Sequence, residues 1–286
     1  MRFITYNYMD KEAVGIISEQ GIIPLEQYNS MLDLIENFDG NILKGPFSQF
    51  IPVDEVKLLA PIPHPRRNIL CLGKNYEDHA KELGATKISD KFIPEDPIYF
   101  TKSADSVIAS GDSILFYEAV TKQVDYEVEL ALVIGKEGVN IKPEDAEQYI
   151  FGYTIINDVS ARDLQLKHKQ WFKAKSLDTF CPMGPHIVHK SELPLPIQLD
   201  IKCSINGEVR QSSNTSKLIF DIPYMISDLS KGLTLRPGDI IATGTPSGVG
   251  FGFNPPKFLK DGDTIECYIE KIGTLVNKVS TKKEIV

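Results

Sequence analysis

The amino-acid sequence predicts a β-rich α+β fold: a mixed β-roll or barrel with a small α/β domain at its N-terminus. The chain has 286 residues, of which 42% are hydrophobic and 24% charged, so it can build a sizeable core. Short strand-like segments separated by turn residues dominate after residue 65, and helix signals are few. This balance favours a roll or barrel over a doubly wound sheet.

The first 65 residues are expected to form the small domain, and residues 66–286 the main one. The strand-like pieces MRFITYNY, EAVGIIS and GIIPLEQ precede a segment with helical spacing at Met31, Leu34 and Ile35. A proline-rich passage that ends at Pro65 follows, and it favours an extended linker.

The main domain is predicted to consist mostly of strands. The candidates are NILCLG, PIYFTK, SVIAS, EVELALVIG, FGYTIIND, HIVHK, LDIKCSING, DIIATG, DTIECYIE and TLVNKVS. Asn206-Gly207 indicates a tight hairpin. Helices are expected in PEDAEQYI, which begins with Pro143, and in FDIPYMISDLSKG, which Gly232 ends.

Composition restricts the partners. A net charge of -8 and a pI near 5.3 argue against nucleic acid, whose phosphates require a basic face. The N-terminus lacks the apolar core of a signal peptide, and no apolar run reaches the roughly 20 residues of a membrane span, so we expect a cytoplasmic protein. Four scattered cysteines without a CxxC pair indicate neither a zinc knuckle nor a disulfide framework.

Residues 124–135, VDYEVELALVIG, carry closely spaced acids. In a strand, Asp125, Glu127 and Glu129 would share one face, and periodicity alone favours a face that is exposed to water. The second half of the segment is apolar on both faces, however, and buried neighbouring carboxylates require a counter-charge. Mg²⁺ or Mn²⁺ would supply it, because hard divalent cations prefer carboxylate oxygens.

A third metal ligand could come from Asp158, which follows the apolar segment FGYTIIN. An aspartate in this place can instead cap the next helix. Together, Glu127, Glu129 and Asp158 form a candidate facial carboxylate set.

His79 and Glu82 lie three residues apart in CLGKNYEDHAKELG, on one face of a predicted short polar helix. A carboxylate beside an imidazole can orient the ring as a general base. Pairs with this spacing are also common on exposed helices, and in isolation this one is expected to be solvated surface.

Positive charge is concentrated just after Asp158, within residues 161–185. The charged residues are Arg162, Lys167, Lys169, Lys173 and Lys175. They could hold a carboxylate substrate, although a basic run usually faces solvent. Cys181 has no activating neighbour in the sequence and is expected in the core.

The glycine-rich stretch GDIIATGTPSGVGFG, residues 238–252, does not satisfy GxGxxG, so a dinucleotide site is not expected. Ser247 lacks the GxSxG elbow of serine hydrolases. Backbone N–H groups and the hydroxyl of Thr245 could instead contact an anionic ligand.

Taken jointly, these stretches resemble the fumarylacetoacetate hydrolase family. The matching pieces are LGKNYEDHAKE, PIYFTKS, VDYEVELALVIG, FGYTIINDVSARDLQ, WFKAKSLDTFCPMGP, INGEVRQ and GDIIATGTPSGVG, in the family's order. The resemblance implies the family's mixed β-roll, a homodimer, and a Mg²⁺ or Mn²⁺ ion.

The resemblance also implies roles for individual residues. The metal ligands would be Glu127, Glu129 and Asp158, and Asp125, which is no ligand in the family, would face water. The catalytic residues would be His79 and Glu82, which activate water, and Lys175. The implied substrate contacts are Lys102, Arg162, Gln165 and Thr245.

The main functional prediction is a metal-dependent hydrolase that cleaves a C–C bond in a 2,4-dioxo acid such as an acylpyruvate, as in aromatic catabolism. The alternative is a decarboxylase or isomerase of a 2-oxo dicarboxylic acid, since both share an enolate step. A rival of another class is a non-catalytic, metal-binding regulatory protein.

Two further features concern the mouth of the site. Lys74 stands where many relatives have Arg, and residues 84–97 are polar like an active-site lid.

Overall fold

The main architectural feature is a large mixed sheet with a smaller sheet packed against one of its faces. The structure is a computed structural model that describes residues 1–40, 50–84 and 93–281. Most of the segment predicted as a lid, residues 85–92, lies outside the described residues.

The strands and helices are numbered in chain order. The strands are β1 Arg2–Tyr8, β2 Lys11–Ser18, β3 Gly21–Pro24, β4 Lys57–Leu58, β5 Ile69–Gly73, β6 Ile98–Lys102, β7 Val107–Ile108, β8 Ser113–Leu115, β9 Val124–Asp125, β10 Val128–Ile134, β11 Ile150–Asn157, β12 Ser160–Ala161, β13 Cys181–His189, β14 Asp200–Ile205, β15 Glu208–Asn214, β16 Ile240–Ala242, β17 Thr264–Ile269 and β18 Gly273–Ser280. The helices are α1 Met31–Asn37, α2 Glu77–Gly84, α3 Ala146–Tyr149, α4 Arg162–His168, α5 Phe172–Lys175 and α6 Ile222–Leu229.

The large sheet has 11 strands, and its main order is β3-β2-β1-β13-β11-β10-β16-β5-β6. A second sheet of five strands has the order β15-β14-β17-β18-β8, and β9 pairs with β12. The predicted β-rich mixed fold is therefore confirmed, with open sheets and no closed barrel in the part of the chain that the structure describes.

Each of the ten segments predicted as strands after residue 65 contains a strand. Asn206 and Gly207 both have positive φ, 52° and 81°, which is the backbone of a type I′ hairpin turn between β14 and β15. The helix predicted from Pro143 begins as a single 3₁₀ turn at Pro143–Asp145 and continues as α3.

The central strand β10 is buried on both faces, because the chain covers both sides of the large sheet. Leu130 and Leu132 pack in the core between the two sheets, whereas Ala131 and Val133 pack in a second core on the opposite face. The apolar run ALVI thus reflects burial on two sides.

The N-terminal strands continue the large sheet. β1 pairs antiparallel with β13, and Phe3 is fully buried against Phe38 and Phe151, with ring centroids 5.5 and 5.3 Å apart. The boundary at residue 65 stays a prediction. No helix among the described residues is both long and apolar enough to cross a membrane.

Replacing Phe3 by Ala tests how far the N-terminal strands stabilise the whole chain. We expect the variant to lose about 3–5 kcal/mol of unfolding free energy, because a buried aromatic side chain leaves a cavity between β1 and β11. Urea unfolding followed by circular dichroism should show one transition at lower urea. Met9→Ala, which changes a side chain that is 77% exposed, is the control and should shift stability by less than about 0.5 kcal/mol. A separate early transition, with the rest unchanged, would show that residues 1–65 fold independently.

Candidate active site

Four strand ends converge at one edge of the large sheet. β10 runs antiparallel to β11 and β16, and β16 runs parallel to β5. The start of β10 therefore lies beside the ends of the other three strands. Functional side chains from distant parts of the sequence meet at this edge.

The predicted ligand set is brought together there. One carboxylate oxygen from each of Glu127, Glu129 and Asp158 lies within 4.8 Å of the other two, and all three side chains are buried. The two segments are held together because the Asp158 N–H donates to the Glu127 carbonyl at 2.8 Å. The Glu127 N–H in turn donates to Asn157 Oδ1 at 3.0 Å.

Three buried cations compensate these carboxylates. Lys175 Nζ donates to Glu127 Oε2 and Asp158 Oδ2, each at 2.6 Å. Arg162 donates to Glu127 Oε1 at 2.5 Å, and Lys102 Nζ donates to Asp158 Oδ1 at 2.6 Å. Glu129 receives the backbone N–H of Gly244 at 2.9 Å.

The carboxylates differ in their electrostatic environment. Burial by itself would raise the pKa of Glu127, but the charges of Lys175 and Arg162 outweigh it and lower that pKa. Burial, together with the charges of Asp158 and Glu127, raises the pKa of Glu129 well above its usual value. Glu129 is therefore the member whose ionisation would gain most from a further cation.

This donor set fits a hard divalent cation. It offers oxygen ligands from three buried carboxylates, which Mg²⁺ and Mn²⁺ prefer. The Lys175 ammonium already lies between two of these carboxylates, which shows that the place favours positive charge. The residues could hold a divalent ion.

Asp125 does not face water, so this expectation is wrong, as is the expectation of a wet face on the acidic strand. Every residue from 124 to 134 is buried. Asp125 accepts hydrogen bonds from Arg162 Nε at 2.8 Å and from the N–H groups of Gly250 and Phe251 at 2.6 and 2.9 Å. The glycine-rich segment folds over the strand and encloses this carboxylate, which alternation within one strand cannot reveal.

The His79–Glu82 pair is also less exposed than its sequence suggests. His79 is only 3% exposed, and its Nδ1 lies 3.1 Å from Glu82 Oε2. Glu82 accepts the N–H of Gly248 at 3.0 Å, so the helix and the glycine-rich segment hold it in place. The expectation of a solvated surface pair is wrong, because α2 starts at the end of β5 and turns this face toward the carboxylates.

The predicted substrate contacts fall into two groups. Gln165 and Thr245 line the small cavity beside the carboxylates. Arg162 also borders it, but its three nitrogens donate to Asp125, Glu127 and Gln165. The fully buried Lys102 donates to Asp158 and to the carbonyls of Val159 and Lys175. Lys102 and Arg162 thus position the carboxylates, and their direct contact with substrate stays a prediction.

The cavity itself measures about 20 Å³, which is room for about one water molecule. Its polar lining includes His79, Glu127, Glu129 and Lys175. The remaining lining residues are Leu72, Gly73, Lys74, Phe100, Arg162, Gln165, Trp171 and Thr245.

The remaining expectations concern the basic run within residues 161–185 and the four cysteines. Lys167, Lys169 and Lys173 are exposed, so only Arg162 and Lys175 of the basic run reach the site. The four cysteines are free and buried, and burial raises the pKa of Cys181 to about 12, as expected of a core thiol.

Gln211 is a supporting residue that the sequence reasoning did not single out. Its Nε2 donates to Thr245 Oγ1 and to the Pro246 carbonyl, both at 2.8 Å, and its Oε1 accepts the Val128 N–H at 3.1 Å. The only sequence signal was its position in the INGEVRQ piece, because the contacts join β15 to segments more than 30 residues away.

The buried Glu-Glu-Asp cluster thus lies beside a histidine–carboxylate pair at the strand ends of a mixed sheet. Residues 68–280 match the family model for the fumarylacetoacetate (FAA) hydrolase C-terminal domain. The chain belongs to this family, as the sequence resemblance predicted.

Two of the curated relatives are named oxaloacetate tautomerases. Oxaloacetate tautomerase YisK of Bacillus subtilis (strain 168) is 48% identical over 98% of this chain and 100% of its own length. The mitochondrial oxaloacetate tautomerase Fahd2a of Rattus norvegicus is 45% identical over 80% of this chain and 71% of its own length.

Solved structures share the fold over nearly the whole chain. A fumarylacetoacetate hydrolase from Exiguobacterium antarcticum has a TM-score of 0.84 at 38% identity, and 5-carboxymethyl-2-hydroxymuconate delta-isomerase from Mycobacterium smegmatis has 0.79 at 35%. Each match covers 99% of this chain and 100% of the other. The enzymatic prediction is confirmed over the non-catalytic one.

Replacing Asp125 by Asn tests the buried network. The amide keeps one acceptor oxygen but loses the charge that pairs with Arg162, so we expect a loss of about 3–5 kcal/mol in unfolding free energy. Chemical denaturation measures this loss. Asp200→Asn, at a side chain that is 53% exposed and paired at 4.0 Å with Lys202, should change stability by no more than about 1 kcal/mol. Equal stability of the two variants would contradict a structural role for Asp125.

Proposed function

We propose that this enzyme interconverts the keto and enol forms of a 2-oxo dicarboxylic acid of the size of oxaloacetate. The observation that carries the proposal is a buried imidazole, held by a carboxylate, that lines the same small cavity as Glu127 and Glu129. Tautomerisation requires only one proton to move between carbon and oxygen. Hydrolysis requires, in addition, a water molecule as nucleophile and a second acid as leaving group. The names of the two curated relatives support the same reading.

The buried carboxylates are proposed to hold Mg²⁺ or Mn²⁺. Glu127, Glu129 and Asp158 would supply three oxygen ligands, and both ions accept such oxygens. When bound, the cation supplies positive charge where negative charge develops on the 2-oxo oxygen.

His79 is proposed as the base that removes a proton from C3. Its Nδ1 faces Glu82 Oε2, so the tautomer that donates from Nδ1 leaves Nε2 free to accept a proton. The C3–H electron pair then forms the C2=C3 double bond, and the carbonyl π electrons move to oxygen, which takes up a proton. The reverse sequence returns the keto form, and no atoms are gained or lost.

The other cavity residues would orient the substrate. The Lys175 ammonium lies between Glu127 and Asp158, where it can stabilise an enolate oxygen. Gln165 and Thr245 border the same space and could donate to a carboxylate of the substrate.

C–C bond hydrolysis is the second candidate. The Exiguobacterium antarcticum fumarylacetoacetate hydrolase has the same fold over the full chain. In this reaction the imidazole would take its proton from water. The two candidates differ in product: an acylpyruvate would yield pyruvate and a second acid.

His79→Ala should lower the rate of oxaloacetate tautomerisation by about 10²–10⁴-fold, because a positioned base is lost. The change in ultraviolet absorbance as the enol is consumed measures the rate, corrected for the uncatalysed reaction. His168→Ala, at an exposed histidine of α4, is the matched control and should keep the parent rate. A parent rate in His79→Ala would refute the role given to this imidazole.

Glu129→Gln should weaken Mn²⁺ binding by at least about tenfold, since a neutral amide is a poorer ligand for a hard cation. Electron paramagnetic resonance of free Mn²⁺ measures binding without any turnover. Glu118→Gln, which removes an exposed carboxylate, should bind like the parent. Unchanged affinity in Glu129→Gln would place the ion elsewhere.

A further inference from the structure

Trp171 forms one wall of the candidate active site. It directly precedes α5, lines the cavity, and packs against Phe100 with ring centroids 5.2 Å apart at 68°. Phe100 in turn lies under the Lys175 ammonium, which is 5.1 Å from its ring centroid. The two rings therefore form a continuous apolar wall that ends at the proposed reacting groups.

The indole occupies a space that Gly73 leaves open. A Cβ atom added to Gly73 would lie 2.4 Å from Cζ3 of Trp171 and 2.9 Å from Cη2. Gly73 is the last residue of β5 and does not have the positive φ that favours glycine. Glycine is therefore required here because the Trp171 indole packs against this position, and not because of the backbone conformation.

The apolar wall differs from the other sides of the cavity. Glu127 and Arg162 are fixed by several charged hydrogen bonds within the protein. Phe100 and Trp171 contribute apolar contact, so a change there alters the size of the cavity and leaves the charge balance intact.

We propose that Trp171, seated against Gly73, is a specificity-determining residue that limits the length of the 2-oxo acid. The wall favours short acids and disfavours acids with a longer acyl chain. The inference rests on the proposed function, because it assumes that the substrate binds at the carboxylate cluster.

The first experiment measures ligand size. The dissociation constants of a series of unbranched acylpyruvates, from acetylpyruvate to hexanoylpyruvate, are determined by calorimetry with Mn²⁺-loaded protein. In the parent, affinity should fall as the chain lengthens. In Trp171→Ala, the hexanoyl-to-acetyl affinity ratio should rise by at least about tenfold, since one misfitted methylene costs a factor of about 10 or more. The control is Phe172→Ala, which should keep the parent ratio. Phe172 is the next residue after Trp171, and its side chain is 48% exposed.

A double-mutant cycle tests the packing of the Trp171 indole against Gly73. Gly73→Ala should displace Trp171 and raise the same ratio, whereas adding Gly73→Ala to Trp171→Ala should change nothing further, because no ring remains to be displaced. Trp171 is the single tryptophan of the chain, so its fluorescence reports its position directly. Its emission should shift to longer wavelength in Gly73→Ala. Only variants with the circular dichroism spectrum of the folded parent enter the cycle.

The outcomes separate this inference from the proposed function. If Trp171→Ala and Gly73→Ala both keep the parent ratio within twofold, the inference is overturned, whether or not oxaloacetate is tautomerised. If the ratios change as stated but the parent protein does not tautomerise oxaloacetate, the size limit stands and the proposed reaction fails.

Discussion

The pairing of β10 with β11 forces two glutamates and an aspartate into one buried space, and the rest of the site compensates for this. The start of one strand lies beside the end of the other, so Glu127, Glu129 and Asp158 cannot separate without breaking the sheet. Buried carboxylates at this distance repel each other unless cations are present. Lys102, Arg162 and Lys175 supply three such charges.

Glu129 is the member of the carboxylate set whose pKa is raised, because burial and the charges of Asp158 and Glu127 oppose its ionisation. A divalent ion would favour the ionised form of Glu129, which links the electrostatics of the fold to its chemistry. The same network fixes the glycine-rich segment. Asp125 and Glu82 accept its backbone N–H groups, so one segment is held by the acidic strand and by the helix that carries His79.

The sequence predicted the parts of this arrangement that depend on local pattern. Strand segments, the Asn206-Gly207 turn and the shared face of Glu127 and Glu129 follow from periodicity and turn chemistry. Asp158 was proposed as a third ligand because it follows an apolar strand segment. The placement of His79 beside the carboxylates came from the order of seven short motifs that together resemble one family.

Contacts between distant segments were beyond such reasoning. Asp125 was expected in water because alternation says nothing about a loop, more than 100 residues away, that folds over the strand. The hydrogen bonds of Lys102 and Arg162 to protein oxygens left no signal in the sequence either, and their direct contact with substrate stays a prediction. The fit of Trp171 into the space at Gly73 joins residues almost 100 positions apart and leaves no periodic signal.

The most direct test of the central claim is a crystal structure of the protein grown with Mn²⁺, with anomalous diffraction data used to locate the metal. The account predicts one strong peak bound by oxygens of Glu127, Glu129 and Asp158, with Lys175 no longer bridging two of them. A structure in which the ammonium still bridges Glu127 and Asp158, and the manganese peak lies elsewhere or is missing, would contradict it.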